Sequence, residues 1–191
     1  MGFFCKIKRH FEDLWCKICE FRWRALLCVA IAVAGVSLGV ALFNAFSCSW
    51  WYYNRCAFAE KLFEGGFSLF FFFAIGSLVY FLCIVLCNLI PQTRFLNYLL
   101  LFAAGFYCGA NTMATIACWS VWGVFYAILV ALPEIITYAL ASFLASCEYP
   151  SCRRFRESVS DFRCCLLVLT VGFVVKIFCY FVILRIITAV I

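Results

Sequence analysis

The sequence predicts an all-α, polytopic helical membrane protein with about five transmembrane helices, one of them broken or re-entrant, preceded by an amphipathic N-terminal helix. Three observations support this class. Of the 191 residues, 68% are hydrophobic and only 13% are charged, whereas roughly half of a soluble domain is apolar. The apolar residues form continuous runs long enough to cross a bilayer, and a β-barrel would show short alternating segments instead. Basic residues also cluster between alternate runs, as in membrane proteins with a fixed orientation.

Residues 1–24 form a basic arm, which is predicted to be an amphipathic helix at the cytoplasmic surface. The apolar residues of the arm recur at steps of three and four, which places them on one face of a helix. Lysines and arginines lie between them, and such a helix binds membrane lipids through anionic headgroups. The alternative is a solvated helical arm. The apolar positions are Phe4, Ile7, Phe11, Leu14, Ile18 and Phe21.

Residues 25–191 form a single transmembrane domain, and its first predicted span is Ala25 to Phe46. Gly35 and Gly39 form a G-x-x-x-G pair there, which lets a neighbouring helix approach closely. A loop from Ser47 to Gly66 is expected to follow. It carries four aromatic residues that are typical of the membrane interface, namely Trp50, Trp51, Tyr52 and Tyr53.

Two more spans follow, Phe67 to Leu89 and Phe95 to about Asn111, with a tight inner turn at Pro91 between them. Gly105 and Gly109 repeat the small-residue pair in the second of these spans, so helix packing is expected there too. A turn is predicted at Asn111 and Thr112.

The next apolar stretch, Ala114 to Ser146, is too long for one perpendicular span. As a straight helix it would reach about 50 Å, against roughly 30 Å of hydrocarbon. Pro133 lacks an N–H and its ring clashes with the preceding turn, so the helix is predicted to break there. The sequence leaves open whether this stretch is tilted or re-entrant.

The last span, Cys164 to about Leu184, follows a polar segment, and the distribution of Lys and Arg predicts the topology. The arm holds six of these residues, the Pro91 turn one, and the segment from Cys147 to Arg163 four. The loop between the first two spans holds two, and one follows the last span. Because basic residues stay inside, five crossings are favoured, with the N-terminus cytoplasmic and the C-terminus extracytoplasmic.

Glu134 and Lys176 are the only charged residues in the middle of apolar segments. Burying either one alone is costly, so the two are expected to pair across the last two spans. Such a pair could serve an ion or proton relay, or contact a substrate. It could equally clamp two helices together, or Lys176 could reach the interface while Glu134 stays protonated.

The fifteen cysteines are scattered through the spans and are interpreted as small hydrophobic residues. Cys48 and Cys56 share the predicted outer loop and are the one pair in a position to form a disulfide. Cys16 and Cys19 have the two-residue spacing of metal sites, but no second pair of this spacing exists. We therefore expect no metal and no cofactor.

The sequence also contains no pattern of catalytic residues. There is one histidine, no Gly-rich phosphate loop, and no pair of acids placed to hold a metal. The net charge of +6 is small and dispersed, which argues against nucleic acid as a partner. The chain is therefore not expected to be an enzyme.

From about Leu26 to Val190 the chain resembles the stage II sporulation protein M family. The resemblance depends on Gly35-Val36-Ser37-Leu38-Gly39 leading to Asn44, the span with Gly105 and Gly109, the stretch broken at Leu132-Pro133-Glu134, the basic pair Arg153-Arg154, and a final apolar span. It implies a membrane protein of endospore-forming bacteria that acts in engulfment of the forespore. Similar proteins are thought to hold two peptidoglycan hydrolases, a lytic transglycosylase and an amidase, at the septal membrane.

Two functions are thus compatible with the sequence. The first is the sporulation scaffold that the resemblance implies, in the bacterial cell membrane, with peptidoglycan hydrolases as partners and homo-oligomers also compatible. The second is a small-solute or ion transporter, or a permease subunit, with its site at the broken helix around Glu134. Discontinuous helices with a carboxyl group at the break recur at transport sites.

Overall fold

A computed structural model describes residues 21–47, 49–64, 67–89, 95–147 and 163–190, and throughout these ranges the regular elements are helices. The basic arm, apart from its last few residues, and the segment 148–162 lie outside the described residues. The elements are α1 (Arg22–Ala45), α2 (Trp50–Glu64), α3 (Phe67–Leu89), α4 (Leu96–Trp119), α5 (Val121–Tyr126), a π-helix (Ala127–Ala131), α6 (Leu132–Cys147) and α7 (Arg163–Val190).

Four helices in the described ranges are long and apolar enough to cross a membrane: Arg22–Ala45, Leu96–Trp119, Val121–Ser146 and Cys165–Ile183. The third of these runs continuously through α5, the π-helix and α6. A further apolar helix, α3, has 23 residues. The all-helical class predicted from the sequence is therefore confirmed for the described residues, and their four long apolar helices are consistent with a membrane protein. The count of about five crossings stays a prediction.

The segment between the first two apolar helices is a helix, α2, and the prediction of a loop there was wrong. Trp51 and Tyr52 pack their rings against Phe43 near the end of α1, with ring centroids 5.9 and 4.7 Å apart respectively. Ala59, on the same helix, is fully buried together with Phe43 and Ala114 of α4. Packing of this apolar face against α1 and α4 stabilises α2 as a helix. The polar residues of the segment do not indicate a helix by themselves.

The turn predicted at Asn111 and Thr112 was also wrong, because α4 continues to Trp119. The polar side chains at the expected turn are satisfied without interrupting the helix. Thr115 donates its hydroxyl to the Thr112 carbonyl at 2.8 Å, and Asn111 accepts a hydrogen bond from Arg55. The chain turns instead at Ser120, which has a positive φ of 49°.

Gly123 explains how the chain can reverse so sharply after Ser120. A Cβ at this position would overlap the Thr115 carbonyl and the backbone of Ile116. Only glycine therefore lets α5 pack directly against the end of α4.

The irregularity that Pro133 predicts is a change of hydrogen-bonding pattern and leaves the chain helical. The five residues before Leu132 form a π-helix, and the Leu132 N–H donates to the Ala127 carbonyl five residues earlier. A wide turn of this kind accommodates a proline without reversing the chain. The interruption of the stretch from Ala114 to Ser146 therefore lies at Ser120, and from Val121 onward the helix is continuous.

The four glycines predicted to support helix packing meet in one interface between α1 and α4. A Cβ on Gly35 would overlap the Phe102 carbonyl, and a Cβ on Gly39 would overlap that of Phe106. Gly105 and Gly109 make the reciprocal approaches to the backbone at Ala32 and Val36. Since the contact positions advance in the same direction on both helices, α1 and α4 are parallel.

The apolar core is divided along the bundle. One cluster contains Leu101, Ile84 and Leu144 from α4, α3 and α6, together with Cys28 and Cys165. Another joins Tyr126 and Val130 to Tyr180 and Ile183 of α7. Polar side chains gather between these two clusters.

Candidate functional site

A cavity of about 300 Å³ lies inside the bundle, between α2, α3, α4, the end of α5, the π-helix, α6 and α7. Its apolar lining includes Phe58, Ala104 and Ala131. Its polar lining is unusual for a membrane interior, with several hydroxyls, a thiol, an amide and two charges. These residues are Tyr80, Tyr107, Cys108, Asn111, Tyr126, Glu134, Tyr138 and Lys176.

Glu134 and Lys176, which the sequence singled out, form an ion pair in the wall of this cavity. The Lys176 Nζ lies 2.5 Å from the Glu134 Oε1, and the Tyr138 hydroxyl donates to the same oxygen at 2.9 Å. The side chains of Lys176 and Glu134 are 7% and 19% exposed. The carboxylate is thus held by two donors and still faces the cavity.

Close packing of α6 and α7 brings the two charges within reach of each other. A Cβ on Gly172 would overlap the side chain of Thr137, so the helices touch one turn away from Lys176. The Thr137 hydroxyl is turned back to the Pro133 carbonyl, at 2.7 Å, and does not compete for the ion pair. Glu134 itself stands in the first turn of α6, directly after the π-helix.

Polar groups continue from the cavity toward the start of α1. Tyr138 stacks on Tyr80 with ring centroids 4.1 Å apart, and the Tyr80 hydroxyl is 2.8 Å from the Ser142 Oγ. The Asn97 amide donates to the Ser142 carbonyl at 3.1 Å and to the Ser146 Oγ at 3.2 Å. The fully buried Asn97 Oδ1 has no hydrogen-bond partner in the described part of the chain.

One further basic residue, Arg55, contacts two residues of the cavity lining and is not itself part of that lining. The Arg55 Nη1, on α2, donates to the Asn111 Oδ1 at 3.3 Å, and its guanidinium carbon lies 4.5 Å from the centre of the Tyr107 ring. Asn111 and Tyr107 both line the cavity. The helix α2 therefore places a cation beside the cavity wall.

The aromatic residues predicted to lie at the membrane interface divide into two pairs. Trp50 and Tyr53 are 82% and 64% exposed. Trp51 and Tyr52 are half-buried and pack against Phe43. The second pair fixes α2 on the bundle, whereas the first pair forms its outer face.

The cysteines in the described part of the chain do not gather into a metal-binding group. Within the described residues, no group of three or more His, Cys, Asp or Glu side chains could hold a metal ion. Cys56 is a free thiol whose backbone carbonyl accepts from the Cys118 thiol at 3.8 Å. Cys48, its predicted disulfide partner, lies outside the described residues, as do Cys16 and Cys19, so that pairing stays a prediction.

Sequence reasoning missed Tyr107 and Tyr126 of the cavity lining, and three further polar residues at or near it. Arg55 was placed in a loop and counted only for topology, and neither Tyr80 nor Asn97 was distinguished from its apolar surroundings. Asn97 could have been found, because an amide inside an apolar run needs a partner in the membrane. The sequence carried no signal for Tyr80, since the contacts of its hydroxyl are with residues 58 and 62 positions away.

Comparisons with protein-family models, with curated proteins and with solved structures found no match to this chain. The resemblance to the sporulation family therefore stays a prediction. The functional argument depends on the cavity and its side chains.

Proposed function

We propose that this chain is an integral membrane protein that binds a small polar solute in the cavity beside Glu134 and carries it across the bilayer. The observation that carries the proposal is the ion pair of Glu134 and Lys176 in the wall of a cavity of about 300 Å³. A clamp between two helices needs no such space, because apolar packing around the pair would serve it better. Charged groups that face a cavity inside the membrane are typical of solute and ion pathways.

The proposal includes a topology of five crossings. Because α1 and α4 are parallel, the chain must return across the bilayer between Ala45 and Leu96. Among the helices described in this segment, α3 alone has the length to do so, with 23 residues and about 35 Å. With the basic segments inside, α2 lies at the outer side and the cavity opens beneath it.

The π-helix is the part of the backbone at which we expect the site to change conformation. Wide turns weaken the regular pattern of backbone hydrogen bonds and often occur at functional positions. Here the wide turn ends at Ala131, which lines the cavity, three residues before Glu134. A change at this turn would reorient the carboxylate and expose the solute to the other side.

Cys108, a native cysteine that lines the cavity, provides the test. Purified protein in proteoliposomes would be treated with water-soluble methanethiosulfonates, the anionic ethylsulfonate and the cationic ethyltrimethylammonium, and labelled peptides quantified by mass spectrometry. We expect modification of Cys108 while Cys28 and Cys165, which are buried away from the cavity, stay unmodified. The proposal is wrong if Cys108 reacts with neither reagent until the protein is unfolded.

A second candidate is the membrane scaffold for peptidoglycan hydrolases that the family resemblance implies. The exposed Trp50 and Tyr53 favour it, because aromatic residues on an outer helix suit protein contact. Crosslinking in native membranes followed by pull-down tests this role. Recovery of hydrolases with the native chain, and their loss with Trp50→Ala and Tyr53→Ala together, would support the scaffold over the solute carrier.

A further inference from the structure

We propose that Cys56 and Cys118 form a disulfide that links α2 to the end of α4. The sequence indicated Cys48 as the partner of Cys56, and the structure brings a different thiol to it. The inference rests on the contacts of the two residues, on the packing around them, and on their position at the outer end of the bundle. It does not depend on the solute-binding function.

The two cysteines are neighbours although they are 62 positions apart in the chain. The Cys118 thiol donates to the Cys56 carbonyl at a sulfur–oxygen distance of 3.8 Å, and the two thiols are close enough to interact with each other. A carbonyl oxygen is two bonds from the Cα of its own residue, so the Cys118 sulfur lies within about 6 Å of the Cys56 Cα. Disulfides join residues whose Cα atoms are roughly 4–7 Å apart, so this sulfur already reaches the backbone to which it would be linked.

The same apolar cluster holds both cysteines in place. Cys56 and Cys118 pack against the buried Phe43, Ala59 and Ala114, which come from α1, α2 and α4. Because this packing has already ordered the two helices and their side chains, closing the bond costs little further conformational entropy. The fold therefore favours this pair over a partner that would have to be brought to α2.

The pair lies at the end of the bundle where a disulfide can persist. Cys118 is the penultimate residue of α4, and in the proposed topology α4 ends at the outer side. Disulfides form and persist outside the bacterial cytoplasm, whereas thiols stay reduced inside it. Both cysteines are half-buried, so a small oxidant can reach them.

The bond forms by thiol–disulfide exchange, with a soluble disulfide such as oxidised glutathione as the oxidant. One cysteine thiolate attacks a sulfur of that disulfide and releases one thiol, which leaves a mixed disulfide on the protein. The second cysteine thiolate attacks the protein sulfur of the mixed disulfide, which forms the Cys56–Cys118 bond and releases the second thiol. Two electrons and two protons pass from the cysteines to the oxidant, which is reduced to two thiols.

The disulfide would fix one wall of the cavity. Phe58, two positions after Cys56 on α2, lines the cavity, and α4 contributes Tyr107 and Cys108 to the same lining. A bond between the two helices therefore keeps α2 beside the cavity even when the noncovalent packing loosens.

Alkylation of free thiols in native membranes tests the proposal. Cells that produce the full-length protein would be treated with N-ethylmaleimide before and during extraction, so that no new disulfide forms. Peptides would then be released without reduction and identified by mass spectrometry. We expect a linked pair of peptides that contain Cys56 and Cys118, and loss of this pair after treatment with dithiothreitol. Cys118→Ser should abolish the pair and leave Cys56 alkylated, whereas Cys48→Ser should retain it.

A variant that moves the thiol by one position is the matched control. Cys56→Ser combined with Ala57→Cys places the thiol about 100° further round α2, at an exposed position, and should form no link to Cys118. The inference is overturned if Cys56 and Cys118 are both alkylated in native membranes, if Cys56 is linked to Cys48, or if the shifted thiol links to Cys118 as efficiently as Cys56 does. These outcomes leave the solute-binding function untouched, since that is tested separately by the reactivity of Cys108.

Discussion

At the scale of the residue, the ion pair shows how strongly an apolar environment restricts a charged side chain. Glu134 and Lys176 are 42 positions apart, yet their pairing was predictable because no other charge lies in the middle of an apolar segment. An unpaired charge inside the bundle would be costly, so each residue determines the position of the other. The contact is therefore a consequence of composition as much as of packing.

Removing one partner of this pair should destabilise the protein more than removing both. Lys176→Met leaves the Glu134 carboxylate without its cation, and we expect a loss on the order of 3 kcal/mol in the free energy of unfolding. The double variant with Glu134→Gln should recover most of this loss. Unfolding in detergent micelles, monitored by tryptophan fluorescence, measures the change. Thr170→Ala, at an exposed position on the same helix, is the control and should have no effect.

If the double variant is less stable than Lys176→Met alone, the charges do not act as a pair in the folded protein. The same measurement on Glu134→Gln alone would then show which of the two residues is stabilising by itself.

Other residues of the site were beyond sequence reasoning for a physical reason. Arg55 reaches Asn111 across 56 positions, and its role depends on α2 being a helix that packs on α4. The aromatic residues of α2 resemble any interfacial cluster, so composition does not indicate which ones turn inward. The ring contacts of both residues with Phe43, and of Trp51 with Phe106, distinguish Trp51 and Tyr52 from the exposed Trp50 and Tyr53.

At the scale of the element, glycine determines how closely α1 and α4 approach. The sequence predicted that the small residues support packing, and the structure places the two pairs face to face. The sequence could not indicate that the two glycine pairs contact each other, because a G-x-x-x-G pattern fits any helix of suitable crossing angle.

A methyl group at this interface should separate the two helices. Gly39→Ala would place a Cβ against the Phe106 carbonyl, and we expect a loss of about 1–3 kcal/mol in the free energy of unfolding in detergent. Gly76→Ala is the matched control, since no atom lies within 4 Å of its Cβ position. Alanine favours a helix over glycine by about 1 kcal/mol, so the control should be neutral or stabilising. Equal effects of the two substitutions would contradict close packing at Gly39.

The turn at Ser120, like the helix α2, is an element that the sequence did not predict. Its φ of 49° and ψ of −113° are unfavourable for a residue with a Cβ. The sequence offered Asn111 and Thr112 as a more familiar turn signal, but local turn propensity was outweighed by the side-chain bonds and packing of α4. Gly123, three residues after the turn, was the available signal.

Replacing Ser120 by glycine should therefore stabilise the fold. We expect Ser120→Gly to raise the free energy of unfolding by about 1 kcal/mol, because the strain of a positive φ is relieved. Ser37→Gly makes the same chemical change within α1 and should lower stability, since glycine is a poor helix former. Thermal unfolding of the two variants in the same detergent compares the signs. A destabilising Ser120→Gly would mean that the chain does not have this conformation at the turn.

At the scale of the whole molecule, hydropathy predicted the class and the positions of most helices, because a lipid solvent admits only internally hydrogen-bonded segments. It could not predict the cavity. The cavity exists because α2 packs on α4 and because the chain turns at Ser120. Neither feature can be recognised from the pattern of apolar residues. The proposed orientation of the bundle in the membrane rests on the distribution of basic residues and on the parallel arrangement of α1 and α4.

This orientation predicts which positions can be labelled from outside an intact cell. Asn54, exposed on α2, lies on the outer side if five helices cross, and Cys152 lies inside. A membrane-impermeant maleimide should therefore label Asn54→Cys in intact cells, and it should label Cys152 only after the membrane is permeabilised. Peptide mass spectrometry distinguishes these sites from the other cysteines. Labelling of Cys152 in intact cells would contradict this topology, because α6 and α7 would then cross the membrane in the opposite directions.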